Sequence, residues 1–302
     1  MTLLKRLFKK KSTVAPRSAD YNFVEIHASQ LDDYKDGITK IKNREIDGFL
    51  VRNVFSKEEV DKITKAFLAT PIEERRKIND WLYFLPQAFA QLDQNSHNSR
   101  ELLKEYYQEA ERFWKEFPER FGVDFVGRIK ETLGKIGDGR AIEIPKGVDG
   151  EGIYNPATIK ELKPGKGELK AHCGNLFHKE FPTFFGHLME TSVIHNQMSY
   201  FIMLSPPESG GELTLYDIEW DNVQKRLHGD TVLEDMQGNT YDLLDERKVT
   251  RKKLASGPGD MITFAGGQIW HKVEFIEGSK SRFTIGGFMS RSKDDKTLYF
   301  WS

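Results

Sequence analysis

The chain has 302 residues, a formal net charge of −1 and 38% hydrophobic side chains, among them 21 Phe and 10 Tyr. That is enough apolar surface to bury a substantial core as one or two domains, while the near-neutral charge excludes a global electrostatic footprint for a nucleic-acid polymer. A single cysteine, Cys173, excludes an intrachain disulfide and fits a reducing cytoplasm, and no apolar run approaches the length of a membrane span.

Met1–Lys11 carries five basic residues and no acid precedes Asp20. Charge interrupts Leu3, Leu4, Leu7 and Phe8, so there is no signal-peptide core, and residues 1–20 read as a frayed, solvated basic tail rather than a membrane-surface helix. Residues 21–55 read as extended, ending in a strand at Asp47–Phe55. Ser56-Lys-Glu-Glu59 is a capping box that opens a helix with Val60, Ile63 and Phe67 on its apolar stripe. The aromatic stretch Trp81–Pro86 has no clear period. Leu102, Leu103, Tyr106, Ala110, Phe113, Trp114 and Phe117 share one side of a helix predicted from Ser99 to Phe121. A further helix over Phe125–Ile136 ends at Gly137-Asp138-Gly139.

The second half changes character. Short segments rich in β-branched and aromatic residues occur at 141–145, 157–162, 169–174, 198–204, 212–216, 260–264, 268–275 and 282–289. Turn punctuation such as Ser205–Gly211 and Ser256–Asp260 separates them. Many short strands without alternating helices predict a sandwich or jelly roll. The expected fold class is therefore α+β, as one domain over 21–302. A helical front at 56–138 packs on a β-rich catalytic core at 140–302. The polar stretch 221–254, with a hairpin of Thr231–Glu234 against Thr240–Leu243, is a candidate lid or a solvated surface hairpin.

Of eight histidines, His172 and His271 stand out because each sits in a predicted strand with a second feature behind it. If 169–175 is a strand, His172 and Gly174 point one way and Cys173 the other. A metal on His172 would then lie over Gly174, where the usual two-histidine, one-carboxylate iron site would carry its acid. Alternation turns Cys173 away and makes it a buried thiol, not a ligand. Eleven residues beyond His271 comes Arg282, sharing a strand face with Thr284. A guanidinium beside a hydroxyl suits the anchoring of a dicarboxylate co-substrate. The hydroxyl of Ser199, in another core strand, is a candidate hydrogen-bond partner for a metal ligand.

These residues bring the second half to a known family. It resembles the iron(II)/2-oxoglutarate-dependent oxygenases, and among them the free-standing aliphatic halogenases of hapalindole- and welwitindolinone-type pathways. The matching stretches are Ile142–Pro145, Tyr154–Ile159, His172-Cys-Gly-Asn175, Ser199–Ile202, Gly210–Leu213, Glu219-Trp220, Gly266-Gly267 with His271, Thr284–Phe288 and Trp301-Ser302. The resemblance covers residues 140–302 well and, through Asp47-Gly48-Phe49, the front more weakly. It implies a double-stranded β-helix, iron(II) on His172 and His271, Arg282 paired with the distal carboxylate of 2-oxoglutarate, and chloride in the vacancy above Gly174. Chloride there also suits the charge, because two neutral imidazoles leave the iron without a protein anion. The implied reaction consumes O2 and 2-oxoglutarate, releases succinate and CO2, and converts an unactivated aliphatic C–H of a free small molecule to C–Cl; a carrier protein is not expected. Two other readings stand beside it: a hydroxylase with water at the Gly174 vacancy, and a non-catalytic binding protein.

Overall fold

The computed structural model describes residues 20–302 except 94, 95, 228–230, 246 and 247; the basic tail expected over 1–20 lies outside the described residues apart from Asp20. Two sheets form the centre, the smaller antiparallel and the larger antiparallel except at two outer strand pairs. In the smaller one, four strands run in the order Arg251–Leu254, Leu213–Glu219, Ile269–Val273, Leu169–His172. The larger sheet holds Met261–Phe264, Met198–Ser205, Arg282–Arg291 and Thr158–Leu162 side by side. The front of the chain extends it at both edges, with Phe23–His27 and Gly48–Arg52 on one side and Leu82–Leu85 and Arg76–Asn79 on the other. The ambiguous aromatic stretch thus becomes a strand, paired with Thr158–Leu162.

Arg282–Arg291 is the hub. It pairs with Met198–Ser205, Thr158–Leu162 and the terminal strand Thr297–Trp301, and its first six residues are all buried. A strand covered on both faces fixes its register firmly, since a slip by one residue would turn every side chain to the other face.

The helices form as their patterns dictate. At Ser56 both halves of the capping box are made, with Glu59 N–H donating to Ser56 Oγ at 3.2 Å and Ser56 N–H donating to Glu59 Oε2 at 2.7 Å. The helix Lys57–Ala69 then lays fully buried Val60, Ile63 and Phe67 toward the strand Met198–Ser205; each such side chain stabilises the fold by about 1.5–3 kcal/mol over an exposed one. The helix Ser99–Phe121 ends where Gly122 turns left-handed at φ +70°, a conformation glycine adopts without penalty. The helix Phe125–Ile136 is capped by Asp124, whose Oδ1 accepts from Gly127 N–H at 2.9 Å.

Three expectations need correction. Residues 21–55 are not simply extended: a 3-10 helix at Ala28–Tyr34 and an α-helix at Gly37–Asn43 interrupt them. The helical front at 56–138 also contains strands, since Arg76–Asn79 and Leu82–Leu85 join the large sheet. The strand expected over 169–175 ends at His172, and Gly174–Glu180 is a helix, with a second at Pro182–Thr191. Within 221–254 the hairpin is present, as Val232–Asp235 against Thr240–Asp242, with Val223–Arg226 as a third strand. Among the described residues no helix is long and apolar enough to cross a membrane.

Candidate active site

The two sheets enclose a cavity of 320 Å³. From the smaller sheet come His172 and His271, which are directly paired across neighbouring strands. Their ring centroids lie 4.3 Å apart. Each ring is oriented by its own strand, since Nδ1 of His172 meets Lys170 O at 2.7 Å and Nδ1 of His271 meets Ile269 O at 2.7 Å. A carbonyl can only accept, so Nδ1 carries the proton and the lone pair of each ring is on Nε2. Burial, the largest influence, pushes His172 down to about 4, and nearby positive charge from Lys160 adds to this. Burial first, then the neighbouring His172, holds His271 well below the ordinary imidazole value. Both rings are neutral donors at physiological pH. No third histidine, cysteine or carboxylate joins them among the described residues.

The larger sheet supplies the opposite wall. Arg282 and Thr284 lie two apart on the hub strand and line the cavity together, as the alternation predicts. Arg282 is 3% exposed, and its Nε is buried without an acceptor. Burial alone pushes its guanidinium down to about 10. Its Cζ rests 5.4 Å from the centre of the Phe201 ring, and it makes no ion pair among the described residues. Arg282 also borders a second cavity of 300 Å³ walled by the loop Pro206–Glu212. Ser199 lines the main cavity; its side chain makes no hydrogen bond among the described residues, and a Cβ at Gly266 would overlap its Oγ.

Gly174 is placed differently from the expectation. It is the first residue of a helix, outside the lining of the cavity, so strand alternation does not set it beside His172. Its N–H donates to Gly266 O at 2.7 Å, and Gly267 N–H donates to Gln197 O at 2.7 Å. A Cβ built at 174 would come 2.8 Å from Gln197 Nε2 and 3.1 Å from Gly267 Cα. A side chain at 174 would therefore have to displace the Gln197 amide and press on Gly267. The adjacent Asn175 ties the same region together: its Oδ1 accepts from Asn196 N–H at 2.8 Å and its Nδ2 donates to Asn196 Oδ1 at 2.7 Å. Those two bonds pin the turn that carries Gln197. Cys173 is fully buried, and burial pushes its thiol up to about 12, as befits an inert core residue.

Two residues escaped the sequence reading. Gln197 is fully buried with its Nε2 donating to Gly174 O at 3.2 Å, while its Oε1 has no partner. Lys160 lines the cavity from the strand Thr158–Leu162. The signal for Lys160 was its alternation with Thr158 and Leu162, which share its face; a lysine in a short strand ordinarily reads as solvent-facing. No acidic side chain lines the cavity among the described residues, whereas Lys160, Lys170, Arg226 and Arg282 do.

The model of one family, described as carrier-protein-independent halogenase WelO5, matches residues 20–302. The chain belongs to this family. Among solved structures this WelO5-family chain is similar to an N-substituted L-amino acid dioxygenase from Burkholderia ambifaria AMMD. That match has 12% identity, a TM-score of 0.52 and 90% of each chain covered. The same dioxygenase in complex with alpha-KG gives 14% identity and a TM-score of 0.51, covering 87% of this chain and 90% of that one. At these identities the likeness is one of fold. None of the curated proteins matches the chain. The family makes this WelO5-type protein an iron(II)/2-oxoglutarate-dependent oxidoreductase. Its residues suit those groups: two neutral imidazoles with free Nε2 lone pairs for a divalent iron, and a buried guanidinium without a counter-ion for a carboxylate.

Proposed function

We propose that the chain is a halogenase that chlorinates an unactivated aliphatic C–H of a free small molecule, with no carrier protein. The observation that carries this reading is a pair of register-matched histidines with no acidic third ligand beside them and with glycine at 174. In this reading His172 and His271 hold iron through Nε2, and Arg282 with Thr284 holds the distal carboxylate of 2-oxoglutarate. Chloride occupies the coordination position that a protein carboxylate would otherwise fill. The bound iron, with O2 and 2-oxoglutarate, supplies the oxidising chemistry.

The protein's own residues do the rest. The carbonyls of Lys170 and Ile269 fix the histidine tautomers, while burial keeps the donor pair neutral and leaves the anionic position to the halide. Ser199, with its hydroxyl free beside the cavity, is available to a ligand at the metal. Phe84, Phe89, Phe177, Phe185 and Phe288 give the cavity an apolar wall that excludes water from a bound organic molecule. A lining with cations and no carboxylate among the described residues favours an apolar substrate that is neutral or anionic, and disfavours an ammonium. The strand order in both sheets supports a double-stranded β-helix as the frame, within one domain over 21–302. Arg226, from the strand Val223–Arg226, reaches the cavity wall, which supports the 221–254 segment as its cover.

The test is a substrate screen with iron(II), 2-oxoglutarate and O2, run with chloride and with bromide and read by mass spectrometry. Products that carry chlorine in one arm and bromine in the other support halogenation. Products that gain oxygen irrespective of halide make the enzyme a hydroxylase.

A further inference from the structure

Arg282 is not alone. In the pairing of the hub strand with Thr158–Leu162, Thr284 stands opposite Lys160 and Arg282 opposite Leu162. Directly opposed Cβ atoms lie about 4.5–5.5 Å apart and diagonal ones about 7–8 Å. Lys160 is therefore across from Thr284 and diagonal to Arg282, and all three line the same cavity. From those positions the long side chains of Lys160 and Arg282 can converge on a single carboxylate beside Thr284.

Neither cation has an anion. Lys160 Nζ lies 5.8 Å from the centre of the Phe84 ring, as Arg282 lies over Phe201, and neither makes a hydrogen bond or ion pair through its side chain among the described residues. Burial, then the charge of Arg282, pushes the Lys160 ammonium down to about 8. Two cations side by side on one wall of a partly dry pocket repel, and holding both there is costly unless a ligand brings negative charge. One guanidinium would suffice for an ordinary carboxylate fork. The second cation is the unexplained feature.

We propose that Lys160 is a positioning residue for 2-oxoglutarate, gripping the distal carboxylate together with Arg282 and Thr284. The proposal rests on the reading that Arg282 faces that carboxylate. Lys160 approaches from the neighbouring strand, so the carboxylate is held from two directions and the chain of the co-substrate is fixed in angle as well as in depth.

The test compares two ligands of the zinc-loaded, full-length protein by calorimetry: 2-oxoglutarate, and 2-oxopentanoate, which has the same keto acid but a methyl in place of the distal carboxylate. Lys160→Met is expected to weaken 2-oxoglutarate by about tenfold to a hundredfold, as for loss of one charge-assisted hydrogen bond, and to leave 2-oxopentanoate within about twofold. Lys160→Arg should restore most of the loss, which a packing role for the lysine stem would not require. Lys160→Gln carries the same comparison should the methionine variant not fold. Equal weakening of both keto acids, or of neither, overturns the proposal. Arg282→Met tests the parent reading separately: if it fails to distinguish the two ligands, Arg282 does not face the distal carboxylate, whatever Lys160 does.

Discussion

Gly174→Asp divides the readings of this site most sharply, and the structure shows what else the substitution does. The first added atom would already lie 2.8 Å from Gln197 Nε2, 3.1 Å from Gln197 Cγ and 3.1 Å from Gly267 Cα. The amide of Gln197 can swing aside, but its bond to Gly174 O is then lost. Gly267 cannot, because its N–H is tied to Gln197 O. Overpacking of this kind costs about 1–3 kcal/mol, and Gly174→Ala carries that cost without the carboxylate. Both variants are expected to lose about 1–3 kcal/mol in urea denaturation. On a substrate the wild type chlorinates, product ratios by mass spectrometry should separate them. The alanine variant keeps chlorine as the main product at a reduced rate, whereas the aspartate variant gives hydroxylated product or none. Wild-type chlorine selectivity in Gly174→Asp would refute the halide position argued here. A switch to hydroxylation in Gly174→Ala would show that packing at 174, not a missing carboxylate, governs the outcome.

Anaerobic protein with iron(II) and 2-oxoglutarate should show a metal-to-ligand charge-transfer band that His172→Ala and His271→Ala each abolish; a wild-type band in both removes these rings from the metal. Arg282→Ala should fold and bind iron yet weaken 2-oxoglutarate by about 2–5 kcal/mol, on the order of thirtyfold or more; unchanged affinity in a titration would assign the carboxylate to another cation. The two histidines also predict an acid-sensitive fold, because their folded values lie below the ordinary 6.5, with His172 near about 4. The unfolded chain then binds more protons than the native one as pH falls from 6.5 toward 4, so this contribution to stability is intact above that window and is lost through it. Urea midpoints of the metal-free protein should fall over that window, and less so in His172→Gln/His271→Gln; parallel profiles would contradict the burial argument.

Much of the site was legible because it is written on strands. Period-two alternation put Arg282 and Thr284 on one face, and the structure has them so. The two histidines stand out among eight because a glycine lies two residues beyond one and an arginine eleven beyond the other, and they prove to be register partners. The local structure around Gly174 was misread, as a strand, for a local reason. The chain leaves the sheet at His172 and enters a helix capped at Cys173, and nothing in His-Cys-Gly-Asn announces that change of period. Its neighbour Asn175 bonds to Asn196 far along the chain, a contact no local pattern records. Lys160 was missed because a charged residue in a short strand is normally solvated, whereas here its face of the strand, in register with Thr284, lines the cavity. The helices inside 21–55 were hidden by their brevity, the α-helix being seven residues long, too short to display a periodic stripe.

The central claim is that a halide completes a two-histidine iron site. Crystals grown anaerobically with iron(II), 2-oxoglutarate and bromide in place of chloride would test it directly, through anomalous scattering at the bromine and iron edges. The account predicts an iron peak bonded to Nε2 of His172 and of His271, with a bromine peak in its coordination sphere. An iron peak so bound, with bromine absent from the metal and water or a carboxylate in that position, would contradict it.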